Sequence, residues 1–278
     1  MSSRRELLRR LGFLNDISGI MSAMKALALM EMRILEEFLA AQHRTVASIE
    51  ASAARFIAWH ASLADLPPPD AEICVLIGSE QGFCGDFNDD LLNQWRGMTA
   101  VERTGEKTLV VGNRLASRIG EAAVLSLPGA SVADEVPRVL LGLTKALNAL
   151  MSEAQVQGWG VSALYHCHAT GRIRHRRLLP LHDLPPPPEP SAFAPDLNLS
   201  PEAFLQGLTR HYLYAVLNDV LYSSLMVENQ RRHAQMDSAL NKLDDDRTQL
   251  RLAYNAQRQE DITEEIEVLL LAADLFRA

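Results

Sequence analysis

The chain lacks the cysteine patterns that mark disulfide-rich and zinc-binding proteins. Its 278 residues include only three cysteines, Cys74, Cys84 and Cys167, and no two of them form a CxxC pair. Such isolated cysteines provide neither a disulfide framework nor a zinc ribbon. They favour a reducing, cytoplasmic setting.

Long apolar runs are missing as well. The longest, such as Val268–Ala273, fall far short of the roughly 20 residues that a helix needs to cross a bilayer. The amphipathic start of the chain, Met1–Leu14, holds four arginines but is followed by no small-residue cleavage site and no separate apolar core. We therefore predict that this start is helical and that no segment spans a membrane.

The chain has no excess of positive charge. Lysine and arginine number 27 against 35 aspartates and glutamates, so the net charge is −8 at pH 7. Dedicated nucleic-acid binders concentrate positive charge to displace counterions from phosphates, so the composition argues against that class. The run Arg172–Arg177 is a local exception, which either meets an acidic partner or lipid headgroups or forms a solvated strand.

Proline and glycine are almost absent from the first quarter of the chain. Between Arg4 and about Leu63 there is no proline, there are two glycines, and apolar residues recur every seven positions, broken only by Gln42. This repeat predicts a long helix with a seam that packs against a partner helix, and Pro67–Pro69 ends it. The members of the repeat are Leu7, Leu14, Met21, Ala28, Leu35, Ile49 and Phe56.

The last quarter shows the same scarcity. Ser200 and Pro201 supply a cap and a first-turn proline, and neither proline nor glycine follows Gly207, so a second long helix is predicted there. About 75 helical residues would form a rod on the order of 110 Å long, because each residue adds about 1.5 Å. No compact domain of this size contains such a rod, so it must protrude or be enclosed by partners.

The middle of the chain alternates short apolar runs with helical segments. Strands are predicted at Ile73–Ile77, Thr108–Val111, Val161–Tyr165 and Arg172–Leu179, and a crossover helix at Val136–Met151. This order predicts a small, mostly parallel sheet. We divide the chain into an N-terminal helix (1–66), an α/β domain (70–182), a proline-rich connector (183–199) and a C-terminal helix (200–278).

Three motifs have both a functional and a structural interpretation. Gly78–Gly85 follows the first strand but lacks the lysine and the glycine spacing of a phosphate loop, so a tight strand-to-helix turn is favoured. His166 and His168 alternate on a predicted strand as two metal ligands would, yet no third ligand has a recognisable spacing. The carboxylates of Asp244–Asp246 and Glu264–Glu265 lie on the predicted rod, where a solvated helix face is favoured over an acid–base site. We predict no catalytic, cofactor-binding or metal-binding residue.

Three stretches together resemble one known family, the gamma subunit of the rotary F-type ATP synthase. Arg9–Ala28 resembles the family's amino-terminal helix, and Gly78–Asn88 is similar to its Ser-Asp-Gln-Gly-Leu-Cys-Gly-Gly-Phe-Asn motif. The segments Ser224–Asn229, Met236–Ala239 and Tyr254–Ile266 resemble its carboxy-terminal signature. The match covers essentially the whole chain in order and spacing.

The chain also departs from the family pattern. Phe83 stands where the motif has leucine, Asp86 replaces its second glycine, and Ala256–Gln257 replaces the lysine and alanine of the carboxy-terminal signature. These differences indicate a divergent branch, and they leave an alternate, sodium-type enzyme open beside a proton-coupled one.

The resemblance implies a fold and a set of partners. The expected fold is α/β, with a long antiparallel coiled coil of the N- and C-terminal helices and a small Rossmann-like, mostly parallel α/β domain. The expected role is that of the central stalk, which carries no catalytic site but couples rotation of the membrane c-ring to ATP synthesis or hydrolysis between alpha and beta subunits. One copy would serve each complex, beside an epsilon subunit, at the cytoplasmic side of the cell inner (plasma) membrane.

The resemblance also implies contact residues. By matching position, Met24 and Lys25 would face the lever of a beta subunit, and Arg258 and Gln259 would meet the catch loops. The turn at Glu80 and Gln81 would belong to the globular foot or to its contact with the shaft. Two other interpretations stay open from the pattern alone: a coiled-coil scaffold with an α/β head, and an α/β enzyme with helical extensions.

Overall fold

The computed structural model describes residues 2–64, 69, 71–98, 106–152, 158–181, 184 and 196–275. They form two compact units, one made of residues 1–28 with 233–278 and the other of residues 29–232. We call these the terminal unit and the central unit. Both predicted long helices are present, α1 at Ser2–Trp59 and the 75-residue helix α6 at Pro201–Leu275.

The central unit contains a five-stranded sheet in the order β3-β2-β1-β4-β5. Four strands are parallel, and β5 pairs antiparallel with β4. The strands are β1 (Ala71–Ile77), β2 (Glu106–Val111), β3 (Leu125–Leu127), β4 (Trp159–Cys167) and β5 (Arg172–Leu179). The shorter helices are α2 (Ala61–Ala64), α3 (Phe87–Gly97), α4 (Asn113–Ile119) and α5 (Val136–Ser152), with 3-10 turns at Gly120–Ala122 and Ala133–Glu135.

The two faces of the sheet pack against different helices because side chains alternate along a strand. Ile73, Val75 and Ile77 of β1 belong to the large core that also contains residues of α1, α5 and α6. Cys74 and Leu76 point the other way into a smaller core with residues of α3 and α4. All five side chains are at most 3% exposed, so β1 is covered on both faces, as a central parallel strand requires.

The two long helices pack antiparallel within each unit. In the central unit Phe38 stacks on Tyr222 with ring centroids 5.3 Å apart, and Phe56 lies 4.8 Å from Phe204. In the terminal unit Lys25 pairs with Asp237 and Arg4 with Asp261. In both units a later residue of α1 therefore meets an earlier residue of α6.

Gln42, the polar residue that interrupts the predicted apolar seam of α1, forms hydrogen bonds with helix α6. Gln42 donates its amide to the carbonyl of Ala215 at 2.8 Å and accepts a hydrogen bond from Asn218 at 3.3 Å. Gln42 thus cross-links the two helices through hydrogen bonds where an apolar seam residue would have packed.

The predicted fold class is confirmed, namely two long helices and a mostly parallel sheet. Strand β3 was not predicted, and β4 ends at Cys167, so His168 lies beyond the strand rather than on it. Most of the predicted connector 183–199 lies outside the described residues. Among the helices that the structure describes, none is long and apolar enough to cross a membrane.

Candidate functional site

The loop between β1 and α3, residues 78–88, carries the motif that resembles the rotary family. Ser79 donates its backbone N–H to the side-chain oxygen of Asn88 at 3.0 Å, and the Asn88 amide donates back to the Ser79 hydroxyl at 2.8 Å. Both residues are at most 4% exposed. The Asn88 amide thus links the start of the loop to the first turn of α3.

Glu80 joins three neighbouring loops at the carboxyl ends of the parallel strands. Its carboxylate accepts hydrogen bonds from the backbone N–H of Asn113 at 3.0 Å, from the Asn113 side-chain amide at 2.6 Å and from the backbone N–H of Gly129 at 2.7 Å. In open α/β sheets this edge is where ligands bind, and helix N-termini there attract anions. Here the Glu80 carboxylate already accepts the hydrogen bonds of backbone N–H groups that a bound phosphate would need.

The same loop docks on helix α6 through a buried ion pair. Glu228 and Arg232 are 2% and 6% exposed and pair with each other. The backbone N–H groups of Gln81 and Glu80 lie near the Glu228 carboxylate and favour its charged form, and Arg232 donates to the carbonyl of Gly82 at 3.3 Å. We call the contact between residues 78–90 and the helix segment 223–232, together with the His166 ring that stacks on Phe87, the docking junction.

Further polar contacts complete the docking junction. Arg231 pairs with Asp90 at 2.6 Å, and its guanidinium lies 5.8 Å from the ring centroid of Phe87. The His166 ring stacks on Phe87 at 4.0 Å, and its Nε2–H donates to the Phe87 carbonyl at 2.8 Å. His168 reaches α6 separately, since its backbone N–H donates to Ser223 at 2.8 Å.

The two histidines therefore take structural positions. The His166 ring packs in the docking junction and is 1% exposed, whereas His168 contacts α6 beyond the end of β4. In the described ranges, no group of three or more histidine, cysteine, aspartate or glutamate side chains is arranged so that it could hold a metal ion. Of the basic run on β5, Arg176 pairs with Glu50 and Arg177 lies 3.9 Å from Glu72.

Burial shifts two titratable groups in the docking junction in opposite directions. Desolvation raises the pKa of Glu228 to about 7, although Arg232 and the backbone N–H groups oppose the shift. Desolvation lowers the pKa of His166 to about 4, with a partial opposing effect of the hydrogen bond to Phe87. At neutral pH His166 is therefore uncharged, so that Arg232 and Arg231 carry the positive charge of the junction.

These shifts predict a pH dependence of stability. Between pH 4.5 and about 7, Glu228 keeps its proton in the folded protein but loses it in the unfolded chain. The contribution of Glu228 to the free energy of unfolding therefore falls as pH rises through this range. We expect Glu228→Gln to gain stability relative to the wild type between pH 5 and pH 8, by roughly 1–3 kcal/mol. Urea denaturation followed by circular dichroism at the two pH values measures the difference.

His166 provides the control of opposite sign. Its folded pKa lies below the ordinary value of 6.5, so its contribution to stability falls as pH falls from 6.5 toward 4. His166→Phe should therefore gain stability relative to the wild type as the pH is lowered through this range. A stability difference between Glu228→Gln and the wild type that stays constant from pH 5 to pH 8 would refute the raised pKa.

The six predicted contact residues are divided between the two units. Met24, Lys25, Arg258 and Gln259 belong to the terminal unit, whereas Glu80 and Gln81 belong to the central unit. Met24 is half-buried and Lys25 pairs with Asp237, while Arg258 and Gln259 are exposed. Arg258 lies 21 residues after Asp237 on α6, which is about 30 Å along the helix.

The terminal unit also exposes apolar side chains that sequence reasoning missed. On α1, Phe13, Ile20 and Leu27 are spaced by seven residues and are 64%, 63% and 58% exposed. On α6, Ile262 and Ile266 are 43% and 51% exposed one turn apart. The sequence does contain this pattern, because each of the three α1 residues directly precedes a member of the predicted seven-residue repeat. We call Phe13, Ile20 and Leu27 the α1 stripe.

The helices of the terminal unit differ in charge. Residues 1–28 hold five basic and two acidic side chains, whereas residues 233–278 hold five basic and ten acidic ones. The first segment therefore has a net charge of +3 and the second of −5. Within the terminal unit, the α1 segment is therefore basic and the α6 segment is acidic.

Comparisons with known proteins indicate one family. A family model described as ATP synthase matches residues 3–273. An ATP synthase gamma chain of Clostridium novyi (strain NT) is 24% identical over 205 residues, covering 72% of this chain and 70% of the relative. That of Nautilia profundicola is 22% identical over 302 aligned positions and covers both chains in full.

Solved structures share the fold. A chain from the rotor of the Euglena gracilis mitochondrial ATP synthase has a TM-score of 0.60 at 15% identity, covering 94% of this chain and 99% of that one. A chain from the central stalk and c-ring of the Tetrahymena thermophila enzyme has a TM-score of 0.57 at 15% identity, covering 79% and 99%. Because the family model spans nearly the whole sequence, this chain belongs to the ATP synthase family whose curated members here are gamma chains.

Proposed function

We propose that this chain is the gamma subunit of an F-type ATP synthase and serves as its rotor shaft. The observation that carries the proposal is the family match over residues 3–273, joined to a fold shared with central stalks. The chain would couple ion-driven rotation of the c-ring to ATP synthesis or hydrolysis at alpha–beta interfaces. It would act without a catalytic site of its own.

The docking junction fits the transfer of torque from the α/β domain to helix α6. A rotor must transmit force from its foot to its shaft without slipping, and a buried, hydrogen-bonded charge pair resists sliding because separating it leaves a desolvated charge. Arg232 donates a hydrogen bond to the Gly82 carbonyl of the loop, and the backbone N–H groups of Glu80 and Gln81 stabilise the Glu228 carboxylate. Side chains of helix α6 therefore contact main-chain groups of the loop.

The α1 stripe supports enclosure by partner subunits. Exposed apolar side chains that recur along one helix face form the kind of contiguous patch that marks a protein–protein surface. We propose the alpha and beta subunits as the partners of the terminal unit, with Met24 and Lys25 at the beta lever and Arg258 and Gln259 at the catch loops. We further propose contacts with epsilon and the c-ring for the central unit, and a peripheral position on the cytoplasmic side of the plasma membrane.

Co-expression with the alpha and beta subunits of the same genome tests the proposal. We expect a native mass with one copy of this chain per three alpha–beta pairs, and ATP turnover that depends on the chain. Replacing both Ile20 and Leu27 by glutamate should reduce that turnover at least tenfold, since burying each side chain contributes about 1.5–3 kcal/mol. Ser22→Glu, at another exposed position of α1, is the matched control.

Other outcomes of this experiment are equally informative. A stable homodimer that ignores alpha and beta would favour the coiled-coil scaffold instead. The isolated Ile20→Glu, Leu27→Glu variant must keep its helix content, since both side chains are exposed in the free chain. Unchanged coupled activity after Arg258→Ala and Gln259→Ala would refute the catch-loop contact without affecting the assignment as a rotor.

A further inference from the structure

Two adjoining cavities lie in the central unit, away from the docking junction. The larger, of about 620 Å³, lies between α5, the end of β5 and the first turns of α6. The smaller, of about 180 Å³, extends the space toward Ile57 and Trp159. The two cavities share three wall residues, Leu179, Leu205 and Thr209. We call the two adjoining cavities together the groove.

The groove has an apolar floor and a polar rim at one end. Leu147, Met151 and Leu213 line the larger cavity together with the shared leucines. Asn148, Arg210 and Tyr214 stand around the same cavity and are exposed. A concave apolar site of this volume with a few polar groups has the size and chemistry of a small-molecule site.

The charge of the walls selects the kind of ligand. Helix α5, Val136–Ser152, and residues 203–218 of α6 contain no aspartate or glutamate, although the whole chain has a net charge of −8. The nearest acidic residues on α6 are Glu202 in its first turn and Asp219, which lies 3.1 Å from His43, and neither lines the groove. Arg210 forms no ion pair with any carboxylate that the structure describes. An anionic group at the rim would therefore meet a guanidinium and no opposing carboxylate on these walls.

We propose that this groove binds a single-chain amphipathic anion of the fatty-acid class, with its carboxylate at Arg210 and its acyl chain along the apolar floor. A guanidinium binds a carboxylate with two parallel hydrogen bonds. A peptide would bring backbone N–H and C=O groups against the leucine floor, where unpaired polar groups are costly. A cationic amphiphile would place its charge beside Arg210. The proposal does not rest on the function as a rotor.

Trp159 offers a direct readout, because it lines the smaller cavity. The full chain carrying Trp59→Phe and Trp95→Phe retains Trp159 as its single tryptophan. We expect dodecanoate, added below its micelle concentration, to shift the Trp159 emission in a saturable way with one site per chain. Arg210→Gln should weaken this binding at least tenfold, whereas Arg138→Gln, an exposed arginine on α5 that does not line the groove, should leave it unchanged.

Several results would overturn the proposal. Equal binding of dodecyltrimethylammonium, or no effect of Arg210→Gln, would show non-specific detergent adsorption. Thr209→Phe places a ring in the wall that both cavities share, so binding that survives in this variant with a native circular dichroism spectrum would place the site elsewhere. Binding of a synthetic amphipathic helix of leucine and glutamate, with none of dodecanoate, would assign the groove to a partner helix.

Discussion

Replacing Arg232 by methionine is expected to lower the free energy of unfolding by about 3–5 kcal/mol at pH 8, because removing one member of a buried ion pair leaves the other charge without compensation. Glu228 is 2% exposed, and its pKa of about 7 leaves the carboxylate mostly ionised at pH 8. The variant also removes the hydrogen bond from Arg232 to the Gly82 carbonyl. Urea denaturation followed by circular dichroism measures the loss.

Two control variants separate the buried pair from ordinary surface charge. Arg118 pairs with Asp89 on the surface, with side chains 44% and 52% exposed, so Arg118→Met should cost at most about 1 kcal/mol. Combining Arg232→Met with Glu228→Leu removes both charges and should recover most of the stability. An Arg232→Met variant no less stable than Arg118→Met would contradict the structural role of the pair.

The double variant also distinguishes stability from coupling. If the docking junction transmits torque, Arg232→Met with Glu228→Leu should fold well and assemble, yet show a lower ratio of ion transport to ATP turnover than the wild type. The loop would then lack the charged groups that hold its backbone N–H and carbonyl groups. A fully coupled double variant would limit the pair to a role in folding.

The long helices could be predicted because their signals are local and repeated. The seven-residue repeat containing Ala28, Leu35 and Phe56 needs no knowledge of the partner, and all three residues are buried in the structure. The cap residue Ser200 and the first-turn proline Pro201 predicted the start of α6, and the helix begins at Pro201. The strands followed from β-branched runs, and β5 was predicted with its observed ends.

The missed elements depend on contacts distant in sequence. Strand β3 has three residues, of which Leu125 is exposed and Leu127 is half-buried, so no burial pattern marked it. Its pairing with β2 exists only once the sheet is assembled. The ion pair of Glu228 and Arg232 likewise looks, in sequence, like any surface pair four residues apart on a helix. Its burial comes from the loop after β1.

The candidate site was predicted only as a turn. The sequence indicated that Gly78–Gly85 is a tight turn rather than a phosphate loop, and the structure gives the physical reason in the hydrogen bonds that Glu80 accepts from Asn113 and Gly129. Glu80 and Asn113 are 33 residues apart, so spacing alone does not join them. The family resemblance pointed to the turn and left open whether it belongs to the foot or to the contact with the shaft, but it did not indicate Glu228 and Arg232 as its partners on α6.

Gly112 lies beside the start of the loop after β1, and Gly112→Ala is expected to destabilise the protein by about 2–6 kcal/mol. The φ of Gly112 is +108°, a backbone conformation that residues with a side chain rarely adopt. A Cβ added at this position would lie 2.7 Å from the carbonyl oxygens of both Gly78 and Ser79. Backbone strain of this kind costs about 1–3 kcal/mol, and overpacking adds about 1–3 kcal/mol. Thermal denaturation of the full chain measures the sum.

Gly97→Ala is the matched control, since no atom lies within 4 Å of a Cβ built there. It should change the free energy of unfolding by no more than about 1 kcal/mol. The backbone atoms that crowd position 112 belong to Gly78 and Ser79, directly before Glu80, so we expect relief of the clash to displace Glu80 from Asn113. Gly112→Ala should therefore also lower the protection of the Asn113 and Gly129 amides against hydrogen exchange, and unchanged protection would show that the loop adapts without losing the Glu80 contacts.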